Sequence, residues 1–308
     1  MSNKITIIGS GHVGTAAAQY CLAKRLGDIV MVDVQEGQVK GKALDLAQAA
    51  ALDSHGSSII GTSDYAETAD SSVVVVTAGI ARKPGMTRDD LERTNASIVA
   101  DTVAKAMKVS PNAMYIVATN PVDTMCMVAL RAGGMAVKRI VGLSGVLDSA
   151  RMCAEIAAIA RVNVTNVYGL TIGEHGSTMV PLTRLARIGG VPVPLLLSQE
   201  EQELVKSRTV NGGARIIELM GMSASFGPGS AISFMVQACM SSVPFLLPCS
   251  VYLTGQYGVQ NFFLGAPVRL SEQGVQEVVE LELNNQERQD MAKSVAAVGE
   301  KARQLDLK

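Results

Sequence analysis

The stretch from Lys4 to Asp33, KITIIGSGHVGTAAAQYCLAKRLGDIVMVD, constrains the fold more than any other part of the chain. A β-branched apolar run, Ile5, Ile7 and Ile8, is followed by Gly9, Gly11 and Gly14 at G-x-G-x-x-G spacing. An alanine-rich helical segment then runs from Thr15 to about Leu26, and a second β-branched run, Ile29 to Val32, ends in Asp33. This reads as strand, tight turn, helix and strand, closing within about thirty residues, the length a right-handed crossover requires. Gly9 allows the turn, Gly11 lets backbone approach a diphosphate, and Gly14 lets helix pack closely on strand. The first turn of the helix offers N–H groups and the positive end of its dipole to an anion. Asp33 is placed to accept hydrogen bonds from an adenosine ribose. No Arg follows it in VDVQEGQ, so NAD is expected rather than NADP.

The pattern continues downstream. The segment from Glu36 to Asp53 carries Val39, Ala43, Leu46 and Ala50 at helical spacing. Gly41-Lys42 within it resembles a P-loop only superficially. Glu36 stands where the first Gly belongs and Ala43 where a magnesium-binding hydroxyl would be, so an ATPase is rejected. Ser58 to Gly61 is a third strand, and Val73 to Val76, four consecutive valines, is one buried on both faces. Met114 to Ala118 and Ile140 to Leu143 complete six strands with interleaved helices. The expected fold is α/β: a doubly wound parallel-sheet (Rossmann) domain over residues 1–144, then an α+β substrate domain over 145–308. In that second part, Leu147 to Arg161, Ser198 to about Met220 and Ala231 to Met240 read as helices, with MSASFGPG as a break between the last two. Val167 to Ile172 reads as one strand, and Val251 to Val268 as antiparallel strands with turns.

Composition narrows the partners. Acidic and basic residues nearly cancel, 28 against 27, and are scattered, so neither nucleic acid nor a membrane surface is expected. No apolar run approaches the roughly eighteen residues of a spanning helix, and the chain enters its first strand almost at once, leaving no room for a secretory leader. The five cysteines, Cys21, Cys126, Cys153, Cys239 and Cys249, are odd in number and contain no C-x-x-C, which fits a reducing cytoplasm.

Candidate chemistry lies at strand ends. After the valine strand comes AGIARKPGMTRDDLERTN, a basic loop at the carboxyl end of a strand with Gly79 and Gly85 as possible hinges; it reads either as a closing lid or as a solvated turn. Asn120 also sits at a strand's carboxyl end. Asp148 and Arg151, three residues apart, share one helical face. Of the three histidines, His12 lies in the glycine loop and His55 in a polar turn, whereas His175 is flanked by glycines directly after a strand. No second His or Cys stands at ligand spacing from His175, so no metal is expected.

The motifs GSGHVG…VMVD, ARKPGMTR, TNPVD, GLSGVLDSAR and GEHGSTMVPL, in this order, resemble the lactate/malate dehydrogenase family over essentially the whole chain. The resemblance implies that His175 exchanges the substrate's hydroxyl proton, that Asp148 holds its imidazole, and that Arg151 binds the C1 carboxylate. Arg88 on the closing loop would polarise the carbonyl oxygen, and Asn120 would place substrate oxygen and nicotinamide ribose. Asn95 and Asn120 join Gly9, Gly11, Gly14 and Asp33 in the expected cofactor-binding set. Arg82 stands where a lactate-type member has a neutral residue, and a second arginine asks for a second carboxylate. Malate and oxaloacetate are therefore the expected pair, with the tricarboxylic acid cycle as the implied setting and a homodimer or homotetramer as the implied assembly. The Ala224–Pro228 wall is also malate-like, whereas Glu174 is commoner in the lactate branch, and Ser177 stands where the family often has Asp. The alternatives are a dehydrogenase of lactate or another monocarboxylic 2-hydroxy acid, and a non-catalytic NAD-binding sensor or scaffold. A sensor would need the glycine loop but no proton relay.

Overall fold

The computed structural model describes residues 3–53, 56–80 and 87–307, apart from the side chain of Arg88. The first half alternates strand and helix. In order come β1 Lys4–Ile8, α1 His12–Ala23, β2 Asp28–Val32, α2 Glu36–Asp53, β3 Ile59–Thr62, β4 Val73–Val76, α3 Arg88–Val109, β5 Met114–Val117, α4 Val122–Gly133 and β6 Ile140–Gly142. The six strands pair in parallel in the order β3-β2-β1-β4-β5-β6. The direction of winding reverses between β1 and β4, so the loops after those two strands part and leave a crevice at the sheet's carboxyl edge. The valines of β4 are fully buried because helices cover both faces.

The second half contributes α5 Gly145–Ala160, β7 Val167–Tyr168, β8 Thr171–Ile172, β9 Val180–Pro181, β10 Arg187–Ile188, β11 Val191–Pro192, α6 Gln199–Met220 and α7 Phe226–Cys239. It closes with β12 Phe245–Thr254, β13 Gln260–Ser271, β14 Gly274–Val278 and α8 Asn285–Gln304. The antiparallel strands β12, β13 and β14 extend the parallel sheet past β6, giving nine strands among the described residues. One apolar cluster accordingly runs from Ile5 and Val75 to Val236 and Leu264.

Among the boundaries that differ from the sequence reading, three have a clear local reason. Helix α1 starts at His12, with Gly11 as its N-cap, so Gly14 lies inside the first turn; a Cβ there would stand 1.9 Å from the Gly9 carbonyl oxygen. Helix α7 starts at Phe226, and the apparent breaker Pro228 is its third residue, where the missing N–H would have had no intrahelical partner anyway. The run from Val167 to Ile172 splits at Gly169 into β7 and β8, which join different small sheets.

Candidate active site

The glycine loop is shaped from both sides. Gly9 adopts φ +101°, and a Cβ on it would come within 2.7 Å of the Ala78 nitrogen in the loop after β4. A Cβ on Gly11, by contrast, would meet nothing within 4 Å. Helix α1 has no side-chain cap on its N-terminus, which suits a diphosphate supplying the acceptor oxygens. At the end of β2, Asp33 Oδ2 accepts hydrogen bonds from the Ser10 backbone N–H (2.7 Å) and hydroxyl (2.8 Å), and Oδ1 from the Gln35 N–H (3.1 Å). Burial works against the carboxylate, but these donors and nearby Lys42 outweigh it and hold Asp33 below its ordinary pKa. Asp33 is thus ionised and oriented, with lone pairs left for ribose hydroxyls. The cradle fits a dinucleotide with a free 2′-hydroxyl.

Asn95 and Asn120 lie together at the crevice. Buried Asn95 accepts from the Ile80 N–H (2.8 Å) and donates to the Asn120 carbonyl (3.3 Å), bracing the loops after β4 and β5. The Asn120 side chain is exposed at the carboxyl end of β5. Ser144 Oγ, just beyond β6, is buried without a hydrogen-bond partner among the described residues.

Asp148, Arg151 and His175 come together from α5 and the loop after β8. Asp148 Oδ2 lies 2.7 Å from His175 Nδ1, and Oδ1 accepts from Arg151 Nη1 at 3.1 Å. The helical i, i+3 spacing brings Arg151 to Asp148, the loop after β8 brings His175 to the other oxygen, and the carboxylate they share is 1% exposed. With Nδ1 donating to Asp148, Nε2 is left to face a substrate. Burial disfavours the imidazolium, but the charge and hydrogen bond of Asp148, helped by Asp123 and opposed by Arg151, raise His175 above its ordinary pKa. Arg151 runs along the glycine pair Gly212-Gly213 of α6, where an added Cβ would sit 3.5 Å from its side chain. A cavity of about 560 Å³ flanks Arg151, lined by Leu147, Ile216, Ala224 and Pro228, so the predicted wall segment lies on the arginine's side.

The sheet fixes the height of the catalytic loop. Gly173 pairs with Gly265 of β13 through two backbone hydrogen bonds, 2.9 and 3.0 Å. Further on, Glu174 takes an ion pair from Lys301 of α8 and a hydrogen bond from Thr178, while Ser294 of α8 accepts from the Glu174 N–H (3.2 Å) and donates to the Thr178 carbonyl. Asp123, in the first turn of α4, accepts from the His175 backbone N–H (3.0 Å) and the Ser250 hydroxyl (2.5 Å). Of these supporting residues, Gly173, Glu174 and Thr178 lie in the GEHGSTMVPL motif without having been given a supporting role, and Gly265, Ser250, Ser294 and Lys301 were not singled out from sequence. Asp123 had a signal too, its place in TNPVD three residues after Asn120. Arg82, His55 and the hinge Gly85 lie outside the described residues; Arg88 is the first residue of α3, and its side chain lies outside them too.

A dinucleotide cradle at the switch point, with a carboxylate-held imidazole and a guanidinium beside it, defines a nucleotide-dependent oxidoreductase. Residues 3–142 match the family model of the lactate/malate dehydrogenase NAD binding domain, residues 145–304 match that of the lactate/malate dehydrogenase alpha/beta C-terminal domain, and the chain belongs to that family. It is an enzyme and its cofactor is NAD. It is 45% identical to a malate dehydrogenase of Trichormus variabilis over 96% of this chain and 91% of that one. Among solved structures, malate dehydrogenase from Salinibacter ruber superposes with a TM-score of 0.94 at 37% identity, covering 98% of this chain and 97% of that one. A minor L-lactate dehydrogenase from Enterococcus mundtii reaches 0.95 at 30% identity, covering 100% and 99%. The backbone is common to both activities, so substrate choice rests on side chains.

Proposed function

We propose that the chain interconverts (S)-malate and oxaloacetate with NAD, and that His175 carries the proton. The contact of His175 Nδ1 with Asp148 Oδ2, while the other oxygen of the same carboxylate holds Arg151, carries the reading. The glycine loop and Asp33 would hold NAD, which would supply the hydride acceptor for oxidation at C2 and the donor for reduction. In oxidation, neutral His175 Nε2 takes the hydroxyl proton as the carbonyl forms; in reduction the imidazolium returns it. Asp148 fixes the tautomer and stabilises the imidazolium. Arg151 grips the C1 carboxylate with two N–H groups, which orients C2. Arg88 stabilises charge on the C2 oxygen, Arg82 binds the second carboxylate, and Asn120 orients the substrate oxygen and the nicotinamide ribose. Gly9, Gly11, Gly14, Asp33 and Asn95 form or brace the cofactor site. Support for malate over lactate comes from the charge at position 82 and from relatives at 42–45% identity that bear the name malate dehydrogenase.

Residues 1–144 act as the cofactor part and 145–308 as the substrate part, a division supported by the two family matches meeting at 142 and 145. The enzyme works in the cytoplasm, in the tricarboxylic acid cycle, as a homodimer or homotetramer. No helix among the described residues is long and apolar enough to cross a membrane. The test of the chemistry is NADH oxidation by oxaloacetate with wild type and His175→Asn. Loss of kcat by roughly a hundred-fold or more, the usual scale of general acid–base catalysis, is expected. A variant with wild-type turnover would overturn the role of His175.

A further inference from the structure

Asp123 is a carboxylate that the proposed chemistry does not yet use, although it sits directly behind the histidine. It is 3% exposed and occupies the first turn of α4, three residues after Asn120. One oxygen accepts the backbone N–H of His175, and the other accepts the hydroxyl of Ser250, which is fully buried on β12. Three separate segments, the end of the β5 loop, the catalytic loop and the extended sheet, thus converge on one carboxylate. Asn120 precedes α4 and shares the loop, so Asp123 ties the residue expected beside the nicotinamide to the residue expected to move the proton.

We propose that Asp123 is a positioning residue, which sets the His175 main chain relative to Asn120 and adds to Asp148 a second negative field favouring the His175 imidazolium. The inference rests on His175 being the proton carrier. A simple structural strut could have been an asparagine, because Ser250 can donate or accept and an amide oxygen would serve the His175 N–H equally well. A carboxylate adds charge. Burial raises Asp123 to about 6, with the Ser250 and His175 hydrogen bonds opposing, so it is largely ionised at neutral pH and above. The titratable groups around it are His175 and, beyond it, Asp148 and Arg151; Glu174, whose charge is matched by Lys301; and the Cys126 thiol, held protonated chiefly by burial, with Cys249 behind it.

The experiment is the pH profile of kcat and kcat/KM for malate oxidation in wild type, Asp123→Asn, Asp123→Ala and His175→Asn, with thermal melts of each. Asp123→Asn keeps both hydrogen bonds and loses only the charge. Its acid limb should move down by about half to one pH unit, with plateau kcat lowered only roughly two- to five-fold. Asp123→Ala should show the same limb shift and a further loss of roughly ten-fold or more in kcat, because the His175 N–H and Ser250 hydroxyl lose their acceptor. An Asp123→Asn profile superimposable on wild type overturns the proposal even if Asp123→Ala fails to fold. Equal plateaus for the two variants would overturn the positioning half. If His175→Asn kept turnover with the wild-type acid limb, the failure would instead lie with the proton-carrier reading.

Discussion

Asp148 serves two side chains that must not move relative to each other. Its oxygens hold His175 at 2.7 Å and Arg151 at 3.1 Å, so in the proposed mechanism substrate grip and proton transfer share one reference point. Oxidation needs neutral His175, and the field of Asp148 helps to raise its pKa. Malate oxidation should therefore fall away as pH drops through that raised value, while oxaloacetate reduction falls as pH rises through it. Asp148→Asn can hold the ring but loses the charge and can trap the wrong tautomer. We expect kcat to fall by roughly 10²–10⁴, with the oxidation limb moved to lower pH; stopped-flow and steady-state pH profiles check both. These residues were legible in the sequence because His175 follows a strand between two glycines, and because the Asp148–Arg151 spacing fixes a shared helical face. Ser250 and Lys301 were not legible: a serine within an apolar strand and a lysine on an amphipathic helix look like any others until the fold delivers them to the catalytic loop.

Among the elements, β13 and α8 hold that loop from two sides. Gly265 has to be glycine, since a Cβ would approach the Gly173 carbonyl oxygen to 2.5 Å. Gly265→Ala should lower unfolding free energy by about 1–3 kcal/mol and depress kcat as well, measured by urea titration and initial rates. Lys301 of α8 pairs with Glu174, whose side chain is 4% exposed. Burial works against the Glu174 carboxylate, but Lys301 and Thr178 prevail and keep its pKa below the ordinary value. That stabilisation is present above the unfolded glutamate's pKa and is lost as pH falls through the lower folded one. In Lys301→Met the glutamate is stranded, at a cost of roughly 3–5 kcal/mol near neutral pH. The deficit should shrink towards pH 4, where the stranded group takes up a proton, and a deficit independent of pH would contradict this. Helix α2 matches its sequence reading at Glu36–Asp53, because its apolar spacing is uninterrupted. The starts of α1 and α7 were read late because glycine and proline look like breakers although first-turn positions tolerate them. The antiparallel strands were read, but not their union with the parallel sheet, since pairing at the β6 edge uses backbone groups that leave little pattern in side chains.

Across the whole molecule, the winding order puts the glycine loop, Asn120 and the β4 loop at one edge of the sheet, and the β12–β13 hairpin brings the catalytic loop to that same edge. Malate and lactate dehydrogenases share this backbone, as TM-scores of 0.94 and 0.95 to one of each demonstrate. Selectivity must then come from few side chains, and Arg82 is the one the sequence offers. An arginine buried against a methyl group would cost roughly 3–5 kcal/mol, about two to three and a half decades in kcat/KM. The most direct measurement is initial rates of NADH oxidation with oxaloacetate and with pyruvate, on wild type and on Arg82→Gln. A strong wild-type preference for oxaloacetate that collapses in the variant while pyruvate turnover rises is the predicted result. Equal use of both keto acids by the wild type, or a preference unchanged in Arg82→Gln, would contradict it.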